Sequence, residues 1–412
     1  MEVENNIPEG WIETTLGDIV DSANTGLDAI KRAPIVEEET GIKCFRIQDA
    51  SQKKAFINWG NTKVEDRNFK KFQLIKGDIL IARTGNSIGV HFLVKNNLKS
   101  VFNNGLIRLR VNEKADFEYL YKVIESNYFK RYVQSIAYGT STQPNMQINA
   151  LLGLELKLPP LPEQKAIAKV LTAFDDKIEL LQAQNKTLET MAQTIFKEWF
   201  GKYQIGDDLP EGWRIEKLGD ILETYLGGTP SKRKNEYWDN GSIPWINSGE
   251  VNNFRITEGT TLITKLGLEK SATKLLPKGT VVIAITGATL GQYSILEIES
   301  CFNQSVVGIV GNDKIKSSFI YFWIANNIHA IIRNATGGAQ QHINKENVNS
   351  FEMIIPSDKL LNKFQCISEP IMNKITNNEF ETKSLAKTRD ILLPKLMSGQ
   401  VRVNNIKQTT NA

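Results

Sequence analysis

Pro8-Glu9-Gly10-Trp11 is followed by Leu16-Gly17-Asp18-Ile19, and Pro210-Glu211-Gly212-Trp213 by Leu218-Gly219-Asp220-Ile221, an offset of 202. The offset returns deep inside each half. Lys76-Gly77 leads through Ile81-Ala82 and Thr84-Gly85 to Gly89, and Lys278-Gly279 leads through Ile283-Ala284 and Thr286-Gly287 to Gly291. Each half closes in a long helical pattern, 162–200 and 357–398. A repeat of whole domains is not a solenoid, whose units run to about 20–50 residues. It predicts pseudo-two-fold symmetry, which suits a partner with its own two-fold relation, such as duplex DNA or a pair of identical subunits.

Within each half, short apolar runs read as strands by alternation and β-branched content. They are 77–82 and 105–111 in the first half, 281–285 and 305–310 in the second. Residues 116–137 and 317–334 carry aromatics at three-to-four spacing and read as helices. Turn-rich loops follow, Gly139 to Asn145 and Gly337 to His342, and then a last strand, 154–158 or 351–355, that runs into proline. Each globular half is therefore mixed. Gly85 and Gly287 suit either a tight turn with positive φ after a buried strand or a backbone approach to phosphate.

Pro159, Pro160 and Pro162 stop the first globular half, and a proline is tolerated in the first turn of the helix that follows. In that helix Ile167, Leu171, Phe174, Ile178, Leu181, Leu188, Ala192, Ile195 and Trp199 alternate spacings of four and three, with Asn185 in the one remaining slot. This is a coiled-coil seam on a helix ~58 Å long, and it needs a partner. The chain supplies one. Phe364, Ile371, Ile375, Leu385, Leu392 and Leu396 form a second seam, with Ser368, Asn378, Thr382 and Arg389 in its other positions. An intramolecular antiparallel pair is the economical arrangement. Asn185 either faces a polar seam residue and fixes register or sits at a solvent-facing position.

The 412 residues suit two or three domains, and the hydrophobic content of 41% is that of an ordinary globular chain. No apolar run approaches membrane-spanning length, and the acidic, polar start Met1 to Asn6 does not read as a secretory signal. Three isolated cysteines, Cys44, Cys301 and Cys366, form no disulfide framework, and a cytoplasmic location is expected. Net charge is only +4, but residues 31–110 hold 16 Lys or Arg against 7 Asp or Glu, and residues 229–278 hold 8 against 5. Basic residues thus gather in one part of each half, as on a phosphate-binding surface, with a solvated basic face as the alternative. No P-loop and no nucleophile elbow are present. His91, His329 and His342 lack metal-ligand spacing. These absences favour a binding protein over an enzyme.

Leu158-Pro159-Pro160-Leu161-Pro162-Glu163-Gln164 before the long helix and the closing Leu392-Leu393-Pro394-Lys395-Leu396-Met397-Ser398-Gly399 carry a family resemblance. So do Gly227-Gly228-Thr229-Pro230-Ser231, Tyr237-Trp238 and Ile243-Pro244-Trp245-Ile246. The chain resembles the specificity subunit of a type I restriction-modification system over nearly its whole length. The second junction departs from the pattern, reading Ile355-Pro356-Ser357-Asp358-Lys359 in place of Pro-Glu-Gln.

The resemblance implies an α+β fold, with two pseudo-symmetric mixed α/β target recognition domains separated by a long intramolecular antiparallel coiled coil. The boundaries expected are 1–160 for the first domain, 161–203 for a central spacer helix, 204–356 for the second domain, 357–400 for a distal spacer helix and 401–412 for a polar tail. Each domain is expected to read one half of a split double-stranded DNA site. Two modification subunits, adenine N6-methyltransferases, are expected to dock on the chain, with a restriction/translocase subunit joining them. The resemblance implies no catalytic residue and no cofactor on this chain, S-adenosylmethionine, ATP and Mg belonging to the partner subunits.

Base reading needs Arg or Lys for guanine and Asn or Gln for adenine, and phosphate contact needs Lys, Arg and hydroxyls. On that chemistry the first-domain candidates are Lys31, Arg32, Arg46, Gln48, Lys53, Lys54, Arg83, Thr140, Ser141 and Gln143. Those of the second domain are Ser231, Lys232, Arg233, Lys234, Asn247, Ser248, Gln340 and His342. Trp11 and Trp213 recur in both halves, which argues for core or subunit-docking roles, since two readers of different bases differ where they read. The rival readings are a fused enzyme and a non-catalytic coiled-coil scaffold without sequence-specific DNA reading. The second leaves the basic concentration in both halves unexplained.

Overall fold

The computed structural model describes residues 7–137, 145–334 and 342–403. The chain divides into two compact units. One holds the chain up to Asp176 with the residues from Leu385 on, and the other is Lys177–Ser384.

In the first unit, Val20–Thr25, Leu106–Val111, Ile79–Ala82 and His91–Leu93 form an antiparallel sheet in that order. A second sheet runs Ile35–Val36, Gly60–Thr62, Lys43–Phe45, Ser100–Phe102, and its last pair is parallel. Ile79–Ala82 is buried along its whole length because it serves two cores by strand alternation. Ile79 and Ile81 join Ile107, Leu109, Phe129 and the helix residues Ile167, Leu171 and Leu396. Leu80 and Ala82 face Phe45 and Phe102 of the second sheet and Trp59 just before its strand Gly60–Thr62.

The second unit repeats the plan. Its main sheet runs Glu223–Leu226, Val306–Val310, Val281–Ala284, Tyr293–Ile295, and its smaller sheet Thr261–Ile263, Ile243–Ile246, Cys301–Phe302, again with a parallel last pair. Val281 and Ile283 pack with Phe319, Phe322, Phe196 and Phe364, while Val282 and Ala284 meet Ile246 and Phe302. Each unit also closes on itself by a two-stranded ladder, Ile12–Thr15 with Glu155–Leu158 and Arg214–Lys217 with Glu352–Ile355.

The helical pattern at 116–137 is two helices, Phe117–Glu125 and Asn127–Ala137. The break is Ser126, whose extended backbone ends the first and whose Oγ accepts from Phe129 N at 3.3 Å to start the second. The matching segment of the second unit is the single helix Ser317–Ile331 with a short 3-10 turn behind it.

The long helices are Leu161–Phe200 and Asp358–Met397, hereafter the central and distal helices. They pair antiparallel within each unit. In the second, Lys177 meets Glu381 at 3.2 Å, Asn185 meets Asn378 at 2.8 Å and Phe196 packs on Phe364 at 5.6 Å between ring centroids. In the first, Asp175 meets Arg389 at 2.6 Å. The sequence seam places Ile195 and Trp199 toward the partner, yet Phe196 and Phe200 are the buried pair and Ile195 and Trp199 are half-buried. At that end the helix packs on its partner and on the core of the second unit together, so its apolar stripe is wider than a two-stranded seam.

Candidate nucleic-acid interface

In each unit one edge of the sheets collects turns that carry polar side chains. In the first unit Leu27 N donates to Phe102 O, Asn103 N to Phe45 O, Arg83 N to Gly105 O and Met146 N to Arg83 O, all at 2.8–3.0 Å. Thr84 bridges to Asn145, and Ser51 Oγ reaches Ser87 Oγ at 3.1 Å. The turn after Gly26, the segment Arg46–Lys54, the turn at Gly85, Asn103–Gly105 and Asn145 therefore meet. In the second unit Gly228 N donates to Phe302 O, Asn303 N to Ile246 O, Ile285 N to Ser305 O and Ile343 N to Ile285 O, and Thr286 bridges to His342. The same five places come together.

Two glycines show what this edge demands. A Cβ on Gly26 would lie 2.2 Å from Phe102 O, and one on Gly227 would lie 2.1 Å from Asn303 O, so only glycine lets these turns pass. Gly85 and Gly287 have φ of +71 and +64 with open space where a Cβ would stand. Conformation, and not packing, requires glycine there.

Arg46 leaves strand Lys43–Phe45 and is held by Asp49, which is 1% exposed. The Asp49 carboxylate accepts from Arg46 N at 3.0 Å and Arg46 Nε at 3.2 Å, and Lys54 Nζ lies 3.5 Å away. Gln48 and Lys53 are exposed beside it, Lys53 with a positive φ of 48. Arg83 is half-buried and donates from Nη2 to Asn145 Oδ1 at 3.0 Å. Lys31 and Arg32 are exposed on the loop after Gly26. There Asp28 accepts from Lys31 N at 2.7 Å and from Arg32 Nε at 2.8 Å, and these bonds hold its carboxyl at about 2. Thr140, Ser141 and Gln143 lie outside the described residues.

In the second unit Ser231, Lys232, Arg233 and Lys234 are exposed in a turn closed by Lys234 N on Ser231 O. Lys234 Nζ donates to Tyr237 Oη at 3.0 Å, which raises the ammonium pKa. Asn247 is held by buried Glu250, and Ser248 beside it is half-buried. His342 is exposed, and Gln340 lies outside the described residues. Sequence reasoning passed over Asp49 and Glu250, the carboxylates that position this edge, and Thr229 and Gln304, which hydrogen-bond each other on it. The three-residue spacing from Arg46 to Asp49 and from Asn247 to Glu250, that of a capping box, is the signal that was present.

Behind this edge each unit is fastened to its helices by ions. Lys122 donates to Glu125 at 2.7 Å and to Asp175 of the central helix, and Asp175 also takes Arg389 of the distal helix. Burial pulls the Lys122 ammonium down, but its two carboxylate partners outweigh that and raise it. In the second unit Arg255, 3% exposed, donates to Glu189 of the central helix at 3.0 Å and to Tyr321 Oη at 3.1 Å. Nearby Glu297 accepts from Thr376 of the distal helix at 2.7 Å, and burial raises its carboxyl pKa against the pull of Thr376, Lys278 and Arg255.

The repeated tryptophans are structural contacts. Trp11 is 5% exposed, and its Nε1 donates to Glu163 at 3.1 Å, a carboxylate that also takes Arg402 at 2.6 and 2.8 Å. Trp213 packs on Tyr203 and Phe200. Gln164 of the first junction donates to Lys114 O and Pro159 O and accepts from Asp116 N. In the second unit Gln365 makes the matching bonds to Lys314 O and Lys316 N, so the shorter second motif keeps this glutamine function further along the helix. Among the described residues no group of three or more His, Cys, Asp or Glu is placed to hold a metal ion, and no helix is long and apolar enough to cross a membrane.

The family model described as type I restriction modification DNA specificity domain matches the chain twice, at 8–190 and 210–402. The chain is 27% identical to the type I restriction enzyme MjaIX specificity subunit of Methanocaldococcus jannaschii, covering 97% of this chain and 95% of that one. It is 25% identical to the HindI specificity subunit of Haemophilus influenzae, covering 95% and 99%. In fold it is similar to the crystal structure of a type I restriction-modification S subunit from M. genitalium, with a TM-score of 0.65, 19% identity and coverage of 96% and 98%.

Proposed function

The chain belongs to the type I restriction modification DNA specificity family, and from that premise we propose that each of its two domains reads one half of a split duplex DNA site through the polar edge described above. The observation that carries this reading is the coincidence of two repeats. The family match occurs twice, once per domain with its adjoining helix, and the polar edge is built twice from the same five turns. The exposed lysines and arginines of each edge supply phosphate contact, and the fixed polar side chains supply base contact.

In this reading the chain is a non-catalytic subunit. Two adenine N6-methyltransferase subunits dock on it and bring S-adenosylmethionine, and a restriction subunit that uses ATP and Mg joins them. The assembly works in the cytoplasm, and the helix pair sets the distance between half-sites. The test is to map methylated adenines in a host carrying the modification subunits with and without this chain. A bipartite methylated motif that depends on the chain is the expected result. Methyl transfer by the purified chain alone, or a motif that persists without it, contradicts the reading.

A further inference from the structure

The internal repeat allows equivalent positions to be compared within one chain. In the parallel ladders Phe45 pairs with Phe102 and Ile246 with Phe302, so Arg46 and Asn247, each one residue past its strand, are equivalent. Three residues on, Asp49 and Glu250 are both buried, at 1% and 8% exposure. Each accepts the backbone N–H of its partner, at 3.0 Å from Arg46 and 2.9 Å from Asn247, and each accepts from that partner's side chain, at 3.2 Å and 2.9 Å. The holding device is the same in both domains, and the side chain it holds differs. Two domains that read different sequences need this combination, a common mount with different readers.

The two readers are not equally free. Asn247 Oδ1 accepts from Gly249 N at 2.8 Å while its Nδ2 donates to Glu250, so the carboxamide is occupied by its own turn. The Arg46 guanidinium is bound to Asp49 through Nε alone, which leaves both Nη groups of the fork. With the Gln48 carboxamide turned so that its oxygen faces the guanidinium, that oxygen accepts from Nη2 at 2.8 Å and Nη1 at 3.2 Å. Gln48 is exposed and can swing away, so its oxygen stands where an incoming acceptor would be met. The fork-shaped acceptor pair on a base edge is guanine O6 and N7. A phosphate is the poorer match, because the Asp49 carboxylate, shared with Lys54 at 3.5 Å, offsets part of the guanidinium charge and repels a second anion. Exposed Lys31 and Lys53 carry no such counter-charge and suit phosphate.

We propose that Arg46 reads a guanine in the half-site of the first domain, with Asp49 as its positioning residue. The inference rests on the DNA-reading function proposed above and adds the base to it. The test uses the chain assembled with its modification subunits, once the motif has been mapped. Binding to the wild-type assembly is measured on duplexes in which each guanine of the first half-site is replaced in turn by 7-deazaguanine, which lacks N7. One such substitution is expected to weaken binding of the wild type and to have no further effect on Arg46→Ala, which has no donor for guanine. In methylation mapping, Arg46→Ala is expected to relax preference at that base pair by about 5- to 150-fold and to leave the other half-site unchanged. Asp49→Asn, which keeps an acceptor for the backbone, relaxes the same base pair to a smaller degree.

A first half-site without guanine on either strand overturns the inference, as does wild-type binding indifferent to every 7-deazaguanine. Uniform weakening at all sites by Arg46→Ala, with a shallower salt slope, makes Arg46 a phosphate contact and also overturns it. Absence of any bipartite motif in the wild type overturns the underlying function instead.

Discussion

Asn185 occupies a seam position that periodicity reserves for a large apolar side chain, and it is 2% exposed. Its Oδ1 accepts from Asn378 Nδ2 at 2.8 Å, and its Nδ2 donates to Glu379 Oε1 at 2.7 Å. A hydrogen-bonded buried amide contributes little net stability, whereas Asn378→Leu leaves Asn185 Oδ1 without its donor and Asn185→Leu leaves Asn378 Nδ2 with Gln184 alone, at a cost of about 1–3 kcal/mol. Asn185→Leu and Asn378→Leu are therefore each expected to destabilise the chain by about that amount. The double variant is expected to cost well under the sum, because an apolar pair replaces a polar one without orphaning either side. Urea unfolding of the four members of this cycle measures the coupling, and additive losses would mean that the two asparagines do not act as a pair. Sequence alone left Asn185 between a register-fixing contact and a solvent-facing slot. The choice depends on which residue of the distal helix stands opposite, and that follows from pairing register and not from the local pattern.

At the scale of elements, the long helices are the most legible feature, and no single offset relates them. Gly10 lies beside Pro160 and Gly212 beside Ser357, an offset of 197 between junctions, yet Gln164 and Gln365 make equivalent bonds at an offset of 201. The distal helix thus carries four more residues before its glutamine, about one turn at 3.6 residues per turn, so the same face is kept. The stutter erases the Pro-Glu-Gln motif and keeps the glutamine's bonds to the loop before helix Ser317–Ile331, while Phe364 stands where Glu163 binds Trp11 and Arg402 in the first unit. A helix that already absorbs four residues suggests how spacing can be changed. Inserting four residues in both long helices, after Asp176 and after Ser384, adds about 6 Å, near two base pairs at about 3.4 Å each. A heptad seam tolerates such an insertion best. The spacer of the methylated motif is expected to lengthen while the half-site bases stay the same. An unchanged spacer in an active doubly inserted variant would mean that the domains, and not the helices, fix the distance.

At the scale of the whole molecule, the repeat in sequence is a repeat in topology down to the parallel strand pair and the turns of the polar edge. What the repeat did not reveal is how each domain is fastened to its helices, because the two fastenings share no residue type at equivalent positions. The first unit uses Lys122, Asp175 and Arg389. The second uses Arg255 and Glu189, with Glu297 and Thr376 beside them, assembled from residues far apart in sequence. This difference shapes the domain exchange that tests independent reading. Replacing residues 208–355 with the matching domain of a relative is expected to change one half of the recognised site and leave the other intact. The exchange removes Arg255 and Glu297 but keeps Glu189 and Thr376, which remain on the helices. A donor without a cation at the place of Arg255 would leave Glu189 facing a buried site unpaired. Breaking a buried pair in this way costs about 3–5 kcal/mol. Exchanges that carry a matching cation, or that add Glu189→Gln on the recipient helix, should therefore recover methylation where plain exchanges fail for lack of folded protein. Thermal unfolding separates that failure from a failure of recognition. If a stable, active hybrid alters both half-sites in the methylation map, the two domains do not read independently, and the internal repeat records ancestry without division of labour.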